Sequence, residues 1–76
     1  MKVVIAKVDE VFFDGEADSL TAPGADGVMT VLGNHMALIT TLKKGMLIVR
    51  RGEGEQNFQV EGGVMEVRHD GATVIL

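Results

Sequence analysis

The sequence predicts an all-β chain, a small antiparallel β-sandwich or flattened barrel of about eight to ten short strands. Three observations carry this. Short runs of β-branched or alternating residues recur from one end to the other, as in Val3-Val4-Ile5-Ala6 and Ala72-Thr73-Val74-Ile75. Turn residues, among them ten Gly and the one Pro, punctuate those runs at close intervals. No stretch carries the apolar period of a helix.

Length and charge narrow the reading. A chain of 76 residues is one domain, 1–76. With no Cys, neither a disulfide nor a thiolate-bound metal can brace it, and a reducing cytoplasm suits such a chain. A net charge of −4 and a pI near 4.9 argue against nucleic acid, whose affinity comes from neutralising phosphates. With no Trp, no Tyr and three Phe there is no stacking platform for single strands. The apolar runs fall far short of the about 18 residues of a membrane-spanning helix. The start, Met1 to Lys7, is too short for a signal peptide and is interrupted by Lys7.

The elements follow in order. Val3 to Val8 reads as a strand with apolar residues on both faces, Val3 and Ile5 against Val4, Ala6 and Val8. Both faces are therefore expected to be covered, one by a second layer and the other by a partner. Val11-Phe12-Phe13 leads into Asp14-Gly15, a strong hairpin signal, and Glu16 to Ala22 is the return strand. Pro23-Gly24 and Ala25-Asp26-Gly27 read as turns, and Val28 to Leu32 as a strand ended by Gly33-Asn34. His35 to Leu42 reads either as a loop with a short strand or as one helical turn. Ile39 and Thr40-Thr41 favour extended chain at its end. Lys43-Lys44-Gly45 turns into the apolar strand Met46 to Arg50, and Arg51 to Glu55 is a polar hairpin tip. Gln56 to Glu61 alternates, with Phe58 and Val60 inward. Gly62-Gly63 marks a bend or bulge. Val64 to Arg68 alternates with Met65 and Val67 inward, Asp70-Gly71 turns, and Ala72 to Leu76 closes the chain.

No constellation of residues carries chemistry. Two His without Cys do not make a usual zinc site, and His35 and His69 lack ligand spacing. Glu10, Glu16, Asp18 and Asp26 read as solvated and turn residues rather than paired acid–base carboxylates. No nucleophile elbow and no phosphate loop is present, since no helix follows Gly62-Gly63. Met29 and Met65 share the phase of core neighbours, whereas Met36 sits in a loop as a contact candidate. Val28, Leu32, Met36 and Leu38 are expected to form one apolar surface, of the kind that marks a binding site. The alternative is that the stretch after Gly33 folds over and covers them.

The ordered blocks Phe13-Asp14-Gly15, Thr21 to Gly27, Gly33-Asn34-His35, Leu38-Ile39-Thr40, Leu42 to Gly45 and Val60 to Val67 together resemble the N-terminal domain of the epsilon subunit of F-type ATP synthases. The resemblance covers nearly the whole chain. It implies a ten-stranded sandwich at the foot of the central stalk, against the gamma subunit and the c ring. It implies a coupling role without catalysis and without a cofactor or metal. It implies a peripheral place at the cytoplasmic face of a bacterial membrane, as part of a complex. The family's helical hairpin would follow residue 76 and is expected to be absent from this chain. By the same resemblance Lys7, His35, Met36 and Thr40 are expected to face the gamma subunit. The tip Gly24, Ala25, Asp26, Gly27 and Val28 is expected to face the c ring. The chain departs from the family where Leu32-Gly33-Asn34-His35-Met36-Ala37-Leu38 stands for Pro-Gly-His-Ala-Pro-Leu, and where Val28 replaces a polar residue. A carrier or small-ligand domain of the biotinyl type is the alternative, and Lys43-Lys44-Gly45 is its one contender for a modified lysine.

Overall fold

Alternation of apolar and polar side chains sets nine strands, and the computed structural model describes all 76 residues. They are β1 (Lys2–Lys7), β2 (Glu10–Glu16), β3 (Ser19–Gly24), β4 (Gly27–Leu32), β5 (Leu38–Leu42), β6 (Gly45–Arg51), β7 (Gly54–Val60), β8 (Gly63–Arg68) and β9 (Gly71–Ile75). The strands hydrogen-bond in the order β2-β1-β9-β8-β5-β3-β6-β7, and β4 hangs on the side of β3. The sheet curls until Phe13 of β2 and Phe58 of β7, from the two ends of that path, meet edge to face at 6.3 Å. The layer β2-β1-β9-β8-β5 thus closes over β4-β3-β6-β7. The all-β sandwich expected from the sequence is borne out, with nine strands.

The inward positions make one core. Val3, Ile5, Leu20, Ala22, Val31, Leu47, Met65, Ala72 and Val74 have no exposed surface. Register explains how they meet: Val3 pairs with Ala72 and Val67 with Ala72, while Ile5 pairs with Val74 and Met65 with Val74. Facing residues of paired strands share one side of the sheet. The expected inward residues Phe58, Val60, Met65 and Val67 all lie against or within this core.

One pairing departs from an all-antiparallel sheet. β9 returns alongside β1 and runs parallel to it, Lys2 to Ala6 against Gly71 to Ile75. Two glycines are required by that corner. A Cβ at Gly71 would strike the carbonyl of Lys2. Gly63 has φ +141, and a Cβ there would lie 2.6 Å from the Ile75 carbonyl oxygen.

Two turn expectations are corrected. Asp14-Gly15 is not a hairpin, because both residues lie inside β2, paired with Val4 and Val3. The ion pair Lys2 Nζ to Asp14 Oδ1 at 2.8 Å runs across that ladder. The reversal falls instead at Val8-Asp9, which leaves Val8 fully exposed rather than on a covered face. A bulge compensates: Ile5 pairs with Phe13 and Ala6 with Val11, so Phe12 is the extra residue. Consecutive Phe12 and Phe13 therefore both pack against the core. Pro23-Gly24 likewise belongs to β3, and the turn is Ala25-Asp26. Proline is tolerated there because β3 pairs with β6 only through Thr21, so no neighbour needs an N–H from residue 23. Its carbonyl accepts from Lys43 N–H at 2.8 Å.

Two measurements test this packing. Leu20→Ala should lower the unfolding free energy in urea by about 2–5 kcal/mol, and Val28→Ala, on an exposed side chain, by less than about 0.5 kcal/mol. Gly71→Ala should cost about 2 kcal/mol or more, because backbone rather than a flexible side chain blocks the new methyl.

The hydrogen bond that the Lys2 ammonium donates to the Asp14 carboxylate, then the charge of that carboxylate, raises the Lys2 pKa above 10.5, against desolvation. A raised lysine pKa contributes stability in full below the unfolded value and loses it as pH climbs through the folded value. The difference in urea midpoint between wild type and Lys2→Met should thus be flat through neutral pH and shrink above pH 10.5.

Candidate functional site

The stretch from Thr21 to Gly45 folds as β3, a tight turn, β4, a loop and β5. The two-residue turn Ala25-Asp26 projects from one end of the sandwich, with Ala25 N–H donating to Thr41 O at 2.9 Å. At the opposite end Gly33-Asn34 turns the chain, and His35, Met36 and Ala37 run without regular structure into β5. Asn34 adopts φ 65, a left-handed conformation that Asn tolerates better than other side-chain-bearing residues. Its N–H donates to the His69 carbonyl at 3.1 Å. The two histidines, far apart in sequence, thereby stand at neighbouring turns, a closeness that no spacing signal in the sequence announces. No group of three or more His and carboxylate side chains converges into a metal-binding cluster.

The residues singled out from the sequence divide into two groups. The tip, Ala25, Asp26, Gly27 and Val28, is exposed, while Gly24 is buried where β3 meets β5. Lys7 ends β1, and the register Ala6–Ile75, Ile75–Val64, Val64–Thr41 places it at the tip end of the sandwich. Its ammonium stands 5.9 Å from the centre of the Phe12 ring. His35 and Met36 lie at the other end. His35 Nδ1–H donates to the Met36 carbonyl at 2.7 Å, and Met36 is 81% exposed. Thr40 pairs with Met65 and so shares the inner side of β5; its hydroxyl donates to Thr41 O at 3.2 Å. Ile39, one residue earlier, points out and is 72% exposed.

The one apolar surface expected from Val28, Leu32, Met36 and Leu38 does not form as such: Val28 and Met36 stand at opposite ends, and Leu38 packs inward against the core. Val28 is 78% and Leu32 58% exposed, and only Leu38 is half-buried. A second apolar row emerged that residue-by-residue inspection missed. Register lines up Val11, Ala6, Ile75, Val64 and Thr41 across five strands of the outer face, with Ile39 beside them. Its one trace in the sequence is the first strand, apolar on both faces.

Asp18, weighed as a possible acid–base group, has a structural task. Its Oδ2 accepts from Gly52 N–H at 2.6 Å, tying the β2–β3 corner to the tip of the β6–β7 hairpin. Lys43 and Lys44 sit exposed between β5 and β6, and Lys44 lies 4.0 Å from Glu61.

Residues 1–76 match the family model described as ATP synthase, Delta/Epsilon chain, beta-sandwich domain. The chain belongs to this family. It is 36% identical over 75 residues to the ATP synthase epsilon chain of Leptospira borgpetersenii, covering 99% of this chain and 59% of that one. It is 40% identical over 63 residues to the epsilon chain of Caulobacter vibrioides, covering 83% and 73%. The chain thus spans 59% of the length of the first of these relatives. Among solved structures, a chain of the Euglena gracilis mitochondrial ATP synthase superposes with a TM-score of 0.88 at 22% identity, over 96% of this chain and 48% of that one. A chain of the central stalk and c ring of the Tetrahymena thermophila mitochondrial enzyme gives 0.77 at 20%, over 97% and 60%. These two likenesses concern the fold. The family is not that of a biotinyl-type carrier.

Asn34 tests the loop that departs from the family pattern. Asn34→Val should cost about 1–2 kcal/mol in urea unfolding, and Asn34→Gly less than about 0.5 kcal/mol, because only the β-branched residue is strained at positive φ.

Proposed function

We propose that this chain is a non-catalytic central-stalk domain of a proton-translocating F-type ATP synthase, coupling the gamma subunit to the c ring. The observation that carries the reading is the family match over all 76 residues. The relatives named above as ATP synthase epsilon chains support it. So does the surface, which is apolar in the places a stalk partner would need. The domain works by being stiff. Nine strands around one core transmit torque through packing, and rotation requires no reacting group.

The tip Gly24 to Val28 meets the c ring in this reading, and His35, Met36 and Thr40 meet the gamma subunit, which reaches Lys7 at the tip end only by spanning the length of the strands. Exposed Met36 and Val28 are the anchors, since desolvating a large apolar side chain contributes most at the centre of an interface. Thr40 acts through the position it gives Ile39 and Thr41 on the outer side of β5. The complex is peripheral to a bacterial membrane, on its cytoplasmic face. The chain itself contains no helix long and apolar enough to cross a membrane.

Capture by a purified gamma–c-ring complex tests this. The folded chain should bind, and Met36→Asp or Val28→Asp should each weaken binding by about tenfold or more while leaving the urea midpoint unchanged. A folded chain that the complex does not capture would overturn the reading.

A further inference from the structure

The loop that carries Met36 is tied to the rest of the domain at one point. Gly33 to Ala37 belong to no ladder. The one backbone hydrogen bond from them to another part of the chain runs from Asn34 N–H to the His69 carbonyl, at 3.1 Å. His35 Nδ1 bonds within the loop, to the Met36 carbonyl. Where the loop stands therefore depends on where the β8–β9 turn, His69-Asp70, stands.

That turn is not pre-set by its own residues. Arg68 and Gly71 pair across it, so it is a two-residue hairpin turn. The turn types that match the twist of paired strands need a positive φ at one or both central residues, and neither His69 nor Asp70 has one. Support comes from outside. The Asp70 carbonyl accepts from Lys2 N–H at 3.1 Å. Arg68 does more: its Nη1 donates to Glu66 Oε1 at 2.9 Å and to Thr73 Oγ1 at 3.0 Å, and its Nε lies 3.7 Å from Asp70 Oδ1. Those partners lie on its own strand, on β9 and in the turn itself. The guanidinium thus joins both arms of the hairpin to its tip. A planar fork holds several directions at once, which the point charge of an ammonium on a flexible stem does not. Arg68 also stands by the far end of the loop. The register Leu38–Val67 places Ala37 beside it, and Ala37 and Arg68 line the same shallow cleft of about 410 Å³.

We infer that Arg68 is the positioning residue of the Gly33–Ala37 loop. It fixes the His69-Asp70 turn, the turn fixes the carbonyl that holds Asn34, and Asn34 sets the place at which Met36 is presented. Ion pairs as exposed as these, with Glu66 at 52% and Asp70 at 84%, add little to overall stability. Their effect is local, on a segment with few ties of its own. The consequence for binding rests on the reading that Met36 meets the gamma subunit.

Amide exchange on the free chain tests the loop, and capture by the gamma–c-ring complex tests the contact. Arg68→Met keeps an unbranched stem and removes the fork. It should speed exchange of the Asn34 amide at least about fivefold. Arg50→Met breaks the Arg50–Glu55 pair of 3.1 Å at the same end of the other layer, and should leave that amide unchanged. Arg68→Met should be captured at least about threefold more weakly than the native chain. It should add nothing to the loss caused by Met36→Asp, because the two act through one contact. Circular dichroism of each variant confirms that it is folded. Equal Asn34 exchange in the native chain and Arg68→Met overturns the inference, as does equal acceleration by Arg50→Met. So does undiminished capture of Arg68→Met, and so does a loss that adds in full to that of Met36→Asp. A native chain that the complex does not capture overturns the reading of Met36 instead, and the exchange rates then decide for Arg68.

Discussion

The structure depends on one strand serving two layers. β3 gives its N-terminal half, Ser19 to Thr21, to β6, and its last residue, Gly24, to Leu42 of β5, while its other side holds β4 throughout. Without that switch the sheet would have no corner and the two layers no hinge. Small and turned residues make it affordable in space. Ala22 and Leu20 are wholly buried, and Gly45 brings its backbone so close to the Pro23 ring that a Cβ would lie 2.8 Å from it. Proline, normally a stop to a ladder, sits where β3 leaves one neighbour and has not yet met the next.

Much of this was legible in the residues because the side-chain period of a strand is two and its faces differ in polarity. Gln56 to Val60 and Val64 to Arg68 declared their inner faces without ambiguity, and the core took Phe58, Val60, Met65 and Val67 as they read. The turns were less secure. Asp14-Gly15 has strong local turn chemistry, yet pairing with Val3 and Val4 across a bulge outweighs it. Propensity is a local preference of a few tenths of a kcal/mol up to about 1 kcal/mol, and a full ladder with its buried face exceeds it. The parallel return of β9 beside β1 has no local signature at all. It depends on where distant strands leave a vacancy, and the one hint was the doubly apolar Val3 to Ala6.

The candidate site shows the same division. Exposure of Met36 and the tip at Ala25-Asp26 follow from loop residues that a sequence displays. Their arrangement does not. Lys7 and His35, grouped as one contact from the sequence, stand at opposite ends of the five-stranded layer, because β5 runs antiparallel to β8 and β8 to β9, which follows β1. Any partner that touches both must span the length of the strands. Thr40 illustrates the parity problem. A one-residue change of phase exchanges inside for outside, and it is Ile39 that faces out.

The outer faces of the two layers differ in kind, and that difference has a physical consequence. β7 exposes Glu55, Asn57 and Gln59 to water. The layer around β1 instead sets Ala6, Ile75, Val64 and Ile39 on its outer side, with Lys2 and Asp14 neutralising each other at its margin. Antiparallel layers with one wet face normally alternate cleanly between apolar and polar residues. The rest of this outer face is polar, with Arg68 paired to Glu66 and bonded to Thr73, so the apolar row is confined to one end of the layer; an exposed apolar row of that kind marks a contact surface. Burying the inner face makes the domain fold, and the rigidity so gained holds the outer row at fixed spacing. A coupling element needs both properties together, since a contact surface on a yielding support would convert torque into deformation rather than rotation.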